Sequence, residues 1–256
     1  MKVKLLPSST EAESQRQALT TFLVNDGLAI DGGSIGFALP PAQMPSIRHI
    51  VVTHAHSDHT ASLPIFVAEA FTGLEGPVNI YGLPEVVAAL RSFVFNDQIW
   101  PDFEKIELPV GGPAIAFHSL EPRTMIEISG LRLTPIPVNH IVPTAGLLVE
   151  DNGASVIFTA DTYTTDEIWR VAKECLALNA IFVDVSYPNE LESLAAASRH
   201  FTPNSLAADL KKLGRDDVEV YAVHIKPTNR EQVITQLREL QHPAVQVAEI
   251  GRTYEW

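Results

Sequence analysis

The apolar positions of this 256-residue chain recur in short runs from Val3 to Val247, and their spacing alternates between that of strands and that of helices. Lys2 to Leu6, Thr20 to Val24 and Leu28 to Asp31 read as strands, with Asn25-Asp26-Gly27 as a tight turn between the last two. Ile47 to Thr53 continues the strand pattern through Ile47, Ile50, Val51 and Val52. Ser62 to Phe71 has helical spacing that turns Leu63, Phe66, Val67 and Ala70 inward. Val78 to Tyr81 predicts a strand, and Pro84 to Phe95 a helix with proline in its first turn. Strands follow at Met125 to Val138, Gly146 to Glu150 and Ser155 to Thr159. The remainder alternates: helix Asp166 to Leu178, strand Ile181 to Val185, helix Pro203 to Leu213, strand Glu219 to Val223, helix Arg230 to Leu240, strand Ala244 to Ala248. Two strand-rich halves, each interrupted by helices, predict an α/β fold in four layers, with helices covering both sheets.

No linker, charge block, low-complexity tract or repeat divides the chain, so residues 1–256 are expected to form one domain. No apolar run approaches the roughly 18 residues of a membrane span, and the N-terminus turns polar too early for a secretory signal, which together point to the cytoplasm. Cys175 is the only cysteine, excluding an internal disulfide; Ile168, Ala172, Cys175 and Leu176 share one helical face, which predicts that the thiol is packed in the core. A net charge of -13 disfavours a nucleic-acid partner, since such surfaces need clustered Lys and Arg. It leaves room for a small anionic substrate if bound cations reverse the local sign.

The chemistry is concentrated in Thr53-His54-Ala55-His56-Ser57-Asp58-His59, directly after a buried strand. His54 and His56, two apart, leave the strand end pointing the same way, and Asp58 and His59 turn into a further set of donors. Imidazole is the commonest nitrogen ligand for zinc, and a carboxylate among imidazoles allows a second cation beside the first. Four adjacent residues cannot complete two coordination shells. His140, Asp161 and His224 each lie just past a predicted strand, where one edge of a sandwich would bring them to the same point.

The motif His54-x-His56-x-Asp58-His59, followed by His140, Asp161 and His224, resembles the metallo-beta-lactamase superfamily over nearly the whole chain. The resemblance implies an αββα sandwich and two divalent metal ions, usually zinc, with manganese or iron in some members. His54, His56 and His140 would hold the first, Asp58, His59 and His224 the second, and Asp161 would bridge them, with a hydroxide between the metals. Asp31, in Asp31-Gly32-Gly33-Ser34, would shape the site. The segment Ser198-Arg199-His200-Phe201-Thr202-Pro203 is similar to the extra-histidine segment of the phosphodiesterase branch, which includes tRNase Z and the class II cyclic-nucleotide phosphodiesterases. Val223-His224-Ile225-Lys226-Pro227 and Asp184-Val185-Ser186-Tyr187-Pro188 look more like the class II enzymes. The chain departs from the superfamily pattern at Ser62, which stands where glycine is frequent.

The resulting expectation is a metal-dependent hydrolase acting on a 3',5'-cyclic nucleotide. Asp58, His200 and Asp184 are assigned to catalysis: His200 stabilises charge or protonates the leaving oxygen, and Asp184 orients it. Ser34, Asn139 and Lys226 are expected to bind substrate. The partner would be a small anionic phosphodiester, without nucleic acid or membrane, and a homodimer is left open. A tRNase Z-like enzyme, a lactone or thioester hydrolase, and a non-catalytic nucleotide-binding protein are the alternatives. Only 20 residues separate His140 from Asp161, which leaves no room there for a long RNA-gripping arm.

Overall fold

Strand alternation decides how this chain layers itself. In the computed structural model, which describes residues 1–9 and 14–256, the strands are β1 (Lys2–Leu5), β2 (Phe22–Val24), β3 (Leu28–Ile30), β4 (His49–Val51), β5 (Val78–Gly82), β6 (Ile115–Ser119), β7 (Ile126–Ile128), β8 (Leu131–Pro137), β9 (Ala145–Asp151), β10 (Ala154–Phe158), β11 (Leu178–Asp184), β12 (Glu219–Val223), β13 (Val245–Val247) and β14 (Thr253–Glu255). They form two seven-stranded sheets, β14-β1-β2-β3-β4-β5-β6 and β13-β12-β11-β10-β9-β8-β7. Neighbours along a strand face opposite ways. In β11, Ala180 and Phe182 enter the space between the sheets, while Ile181 and Val183 face outward under helices; in β12, Tyr221 and Val223 point in and Val220 and Ala222 point out.

The helices are α1 (Ile35–Ala38), α2 (Ser57–Thr60), α3 (Leu63–Ala70), α4 (Pro84–Phe93), α5 (Glu167–Glu174), α6 (Glu192–Ser198), α7 (Pro203–Leu210) and α8 (Arg230–Glu239). They close the two outer faces, giving three apolar interfaces: helices on the first sheet, sheet on sheet, and helices on the second sheet. Leu63, Phe66, Val67 and Ala70 of α3 are wholly buried, as their spacing predicts. The inter-sheet seam carries stacked aromatics, Phe158 on Phe182 (5.3 Å, 8°) and Tyr254 on Trp256 (6.1 Å, 7°). No helix among the described residues is long and apolar enough to cross a membrane.

The sheets share one plan. In the first, β14, β1, β2 and β3 run antiparallel and β3 to β6 parallel. In the second, β7 to β10 are antiparallel and β10 to β13 parallel. Ligand sites in such sheets form beyond the carboxyl ends of the parallel strands. Several boundaries differ from the sequence expectation. The helix expected over Asp166 to Leu178 stops at Glu174 because Leu178 already pairs with Ser155, so Leu176 is 89% exposed and does not share a buried face with Cys175, which is half-buried. The edge strand β6, the three-residue β14 and helix α6 carry too weak a period to be read from sequence.

Candidate metal centre

The site lies where β3, β4, β10, β11 and β12 end. At these ends the backbone makes a sharp left-handed bend: Asp31 (φ 62°) after β3, Ala160 (φ 54°) after β10 and His224 (φ 60°) after β12. A non-glycine residue in this region costs about 1–2 kcal/mol and persists only where the surroundings enforce it. Asp31, Asp161, Asp184 and His224, at or beside these bends, are all buried.

Three overlapping donor groups converge there. His54, His56, His140 and Asp161 form the first, Asp58, His59, His224 and the same Asp161 the second, and Asp161, Asp184, His200 and His224 the third. In the first, His54 Nε2 and His56 Nδ1 are 3.1 Å apart, His56 Nδ1 and His140 Nε2 3.2 Å, and His54 Nε2 and Asp161 Oδ2 3.6 Å. In the second, His59 Nε2 is 3.3 Å from both His224 Nε2 and Asp161 Oδ2, while His224 Nε2 is 3.4 Å from Asp161 Oδ2 and 3.2 Å from Asp58 Oδ2. Four donors around one zinc at about 2.0–2.1 Å stand about 3.3 Å from each other. The spacing therefore suits divalent cations, with Asp161 common to both groups.

The remaining ring nitrogens decide which atoms are free to bind. His140 Nδ1–H donates to the Arg199 carbonyl (3.2 Å) and His59 Nδ1–H to Asp31 Oδ2 (2.7 Å), which leaves Nε2 of each ring bare when neutral. Thr53 Oγ1 lies 3.0 Å from Asp31 Oδ1 and 3.0 Å from His54 Nδ1. Its single hydrogen goes to the carboxylate, so the hydroxyl accepts from His54 Nδ1–H. Such partners orient metal-binding imidazoles and select their tautomer.

Charge separates the first two groups. Burial lowers the pKa of His54, His56 and His140, outweighing the pull of Asp161. Burial opposes a proton on His59 as well, but Asp161 and Asp31 raise its pKa well above the ordinary value. For His224, burial is likewise overcome by Asp161, Asp184 and Asp58, pushing it up to about 9. Asp58 and Asp161 resist the upward push of burial and are held below the carboxylate range, Asp58 by His224, His59 and Lys226, and Asp161 by His224, His59 and His54.

His200 stands beside the first two groups and belongs, with Asp184, to the third. Its ring lies parallel to that of His224 (5.4 Å, 12°) and edge-on to that of His140 (5.1 Å, 68°). Its Nδ1–H donates to Asp184 Oδ2 at 2.7 Å. Asp184 is wholly buried and receives Thr162 N–H as well, an arrangement that agrees with the orienting contact to His200 expected from sequence. Lys226 Nζ is 3.1 Å from Asp58 Oδ2, with its side chain 31% exposed, at the mouth of the site.

Of the residues expected to bind substrate, Ser34 is out of reach of solvent and Asn139 has partners within the protein. Ser34 is fully buried with an unpartnered hydroxyl, because the Gly32-Gly33 bend carries it inward beneath α1. Asn139 is occupied at both ends, donating to the Thr164 carbonyl and accepting from the Arg199 guanidinium, and so braces the His140 loop. Ser62, at the position where glycine is frequent, accepts Gly36 N–H (2.8 Å) and donates to Gly32 O (3.2 Å), fastening α1 to the start of α3. Sequence reasoning missed Thr53, Ser186, Arg199 and Gln17, whose Oε1 accepts His224 N–H at 2.8 Å. Arg199 and Thr53 lie next to candidate histidines and Ser186 within the Asp184 segment, but the sequence does not show what each touches; Gln17 carries no signal.

Residues 21–225 match the model of the beta-lactamase superfamily domain. By sequence the chain is 26% identical over 205 residues to the "Probable 3',5'-cyclic-nucleotide phosphodiesterase" of Yersinia pestis, covering 72% of this chain and 58% of that one. It is 28% identical over 202 residues to the 3',5'-cyclic-nucleotide phosphodiesterase of Schizosaccharomyces pombe, covering 71% and 55%. To Ribonuclease Z of Mycobacterium bovis it is 26% identical over 172 residues, covering 64% and 60%. The chain thus spans less than two thirds of the length of these relatives. Among solved structures, unliganded yeast PDE1 superposes with a TM-score of 0.78 at 17% identity, over 98% of both chains. The metallo-beta-lactamase fold protein YhfI from Bacillus subtilis gives 0.74 at 16% identity, over 100% of this chain and 98% of that one. At these identities the structural likeness speaks for the fold alone.

Proposed function

We propose that this member of the beta-lactamase superfamily is a metal-dependent hydrolase of phosphodiesters, with a 3',5'-cyclic nucleotide as preferred substrate. The first two donor groups would hold divalent cations, for which zinc suits the histidine-rich set and manganese or iron are alternatives. Bound cations supply water of near-neutral pKa and positive charge for the phosphoryl oxygens.

The observation that carries the reading is the His200–Asp184 pair. The His200 imidazole lies outside the first two donor groups, and with its Nδ1–H given to Asp184 of the third it keeps Nε2 as its one remaining nitrogen for a substrate. With a proton there, His200 can donate to the departing ester oxygen or to a phosphoryl oxygen gaining charge, a role worth about 10²–10⁴-fold in rate. Lys226 can leave Asp58 for a phosphoryl oxygen, since its ammonium is partly exposed and on a flexible stem. Asp184 keeps the tautomer of His200 and takes no part in bond making.

His200→Ala is expected to keep two equivalents of metal while losing at least about 100-fold in turnover of bis-nitrophenyl phosphate and cyclic nucleotides. Full activity would remove His200 from the reaction. The likeness to Ribonuclease Z favours a second reading, a nuclease acting on precursor tRNA. Against it, β9 and β10 are joined by the two-residue turn Asn152-Gly153, which offers no extension to grip a folded RNA. A panel of cyclic nucleotides, precursor tRNA, a lactone and a thioester separates these substrates.

A further inference from the structure

Ser186, two residues beyond β11 and wholly buried, has no part in the chemistry above, yet three site residues meet at its hydroxyl. Its Oγ lies 2.7 Å from Asp184 Oδ1, 2.9 Å from His224 Nδ1 and 3.3 Å from His200 Nδ1. The hydroxyl has one hydrogen and two acceptors in reach, Asp184 Oδ1 and, at 3.1 Å, the His224 carbonyl; the nearer, charged carboxylate takes it, and the oxygen accepts from His224 Nδ1–H. His224 is thereby held with Nε2 turned toward Asp58 and Asp161. The other oxygen of Asp184 takes the Nδ1–H of His200.

The opposite sheet repeats the device. Asp31, at the end of β3, holds His59 directly and His54 through the hydroxyl of Thr53. In each sheet one buried carboxylate thus orients two imidazoles, one by direct contact and one through a hydroxyl. In the first sheet both imidazoles belong to the first two donor groups of the metal centre. In the second, only the hydroxyl-linked one does.

We propose that Ser186 is a positioning residue that sets the tautomer and aim of His224 for the second metal and ties that ligand to the carboxylate holding His200. The inference rests on the two-metal reading of the site and not on the substrate. Without the hydroxyl, His224 Nδ1 and Asp184 Oδ1 stand 3.6 Å apart. Closing that gap to a normal hydrogen bond needs a shift of about 0.7 Å, which draws Nε2 away from Asp58 and Asp161.

Calorimetric titration of metal-stripped protein with Zn²⁺ or Mn²⁺ tests this directly. In Ser186→Ala the first equivalent is expected to bind as in the wild type and the second about 10–100-fold more weakly. Ser186→Cys, which keeps the volume with a weaker acceptor, should give an intermediate loss and serves if the alanine variant does not fold. Second-site affinity within about twofold of wild type in either variant overturns the proposal. So does an equal loss at both sites, which would mark a general packing role. Wild-type protein unable to take up two equivalents would instead overturn the two-metal reading itself.

Discussion

His59 and His224 lie against Asp31, Asp58 and Asp161, and the balance of charge there decides their protonation. Both imidazoles have raised pKa values, His224 up to about 9, because the carboxylates outweigh the cost of burial. In metal-stripped protein at pH 7 both therefore carry protons, whereas His54, His56 and His140 are neutral. Filling both groups should release close to two protons in all, read by calorimetry in buffers of different ionisation heat. No net release would contradict this assignment. The stability consequence has a defined sign: a raised folded pKa stabilises fully below the free-imidazole value of 6.5 and is lost as pH rises through about 9. Metal-stripped protein should lose Tm across that window, and metal-loaded protein should not.

At the scale of elements, the bend after β3 and the loop carrying Asp58 touch backbone to backbone. A Cβ on Gly33 would stand 2.1 Å from the Asp58 carbonyl and 2.8 Å from Thr20, which itself donates N–H to that carbonyl. Gly33→Ala must therefore displace the Asp58 loop, and is expected to weaken second-metal binding by at least about tenfold while sparing the first. Unchanged affinity would show that the loop moves freely. The sequence places Asp31-Gly32-Gly33-Ser34 at the site, though not against the Asp58 loop. Strong periods were legible in the same way: β12 has the expected bounds, α3 buries the expected face, and the donor residues occupy strand ends. Short elements such as β14 offered too few positions to show a period. Thr53, Ser186 and Gln17 were illegible for another reason. Each is a single polar residue given meaning by a tertiary contact, in Gln17 with a partner 207 positions away.

For the whole molecule, the metal centre is also a fastening between sheets. The first sheet supplies His54, His56, Asp58 and His59, and the second His140, Asp161 and His224. Cations held there bind only the folded arrangement, and each at 100 times its Kd adds about 2.7 kcal/mol of stability. In a chain of this size that corresponds to a rise in Tm of roughly 5–10 °C per site, lost on chelation and restored by metal. A Tm indifferent to chelator would mean that the sheets are held by the apolar seam alone. That seam and the two outer interfaces each contain one of the three tryptophans: Trp100 under the helices of the first sheet, Trp256 between the sheets and Trp169 under the helices of the second. Variants retaining a single tryptophan would therefore make emission an optical gauge of each layer in turn, able to reveal whether the three interfaces melt together or one at a time.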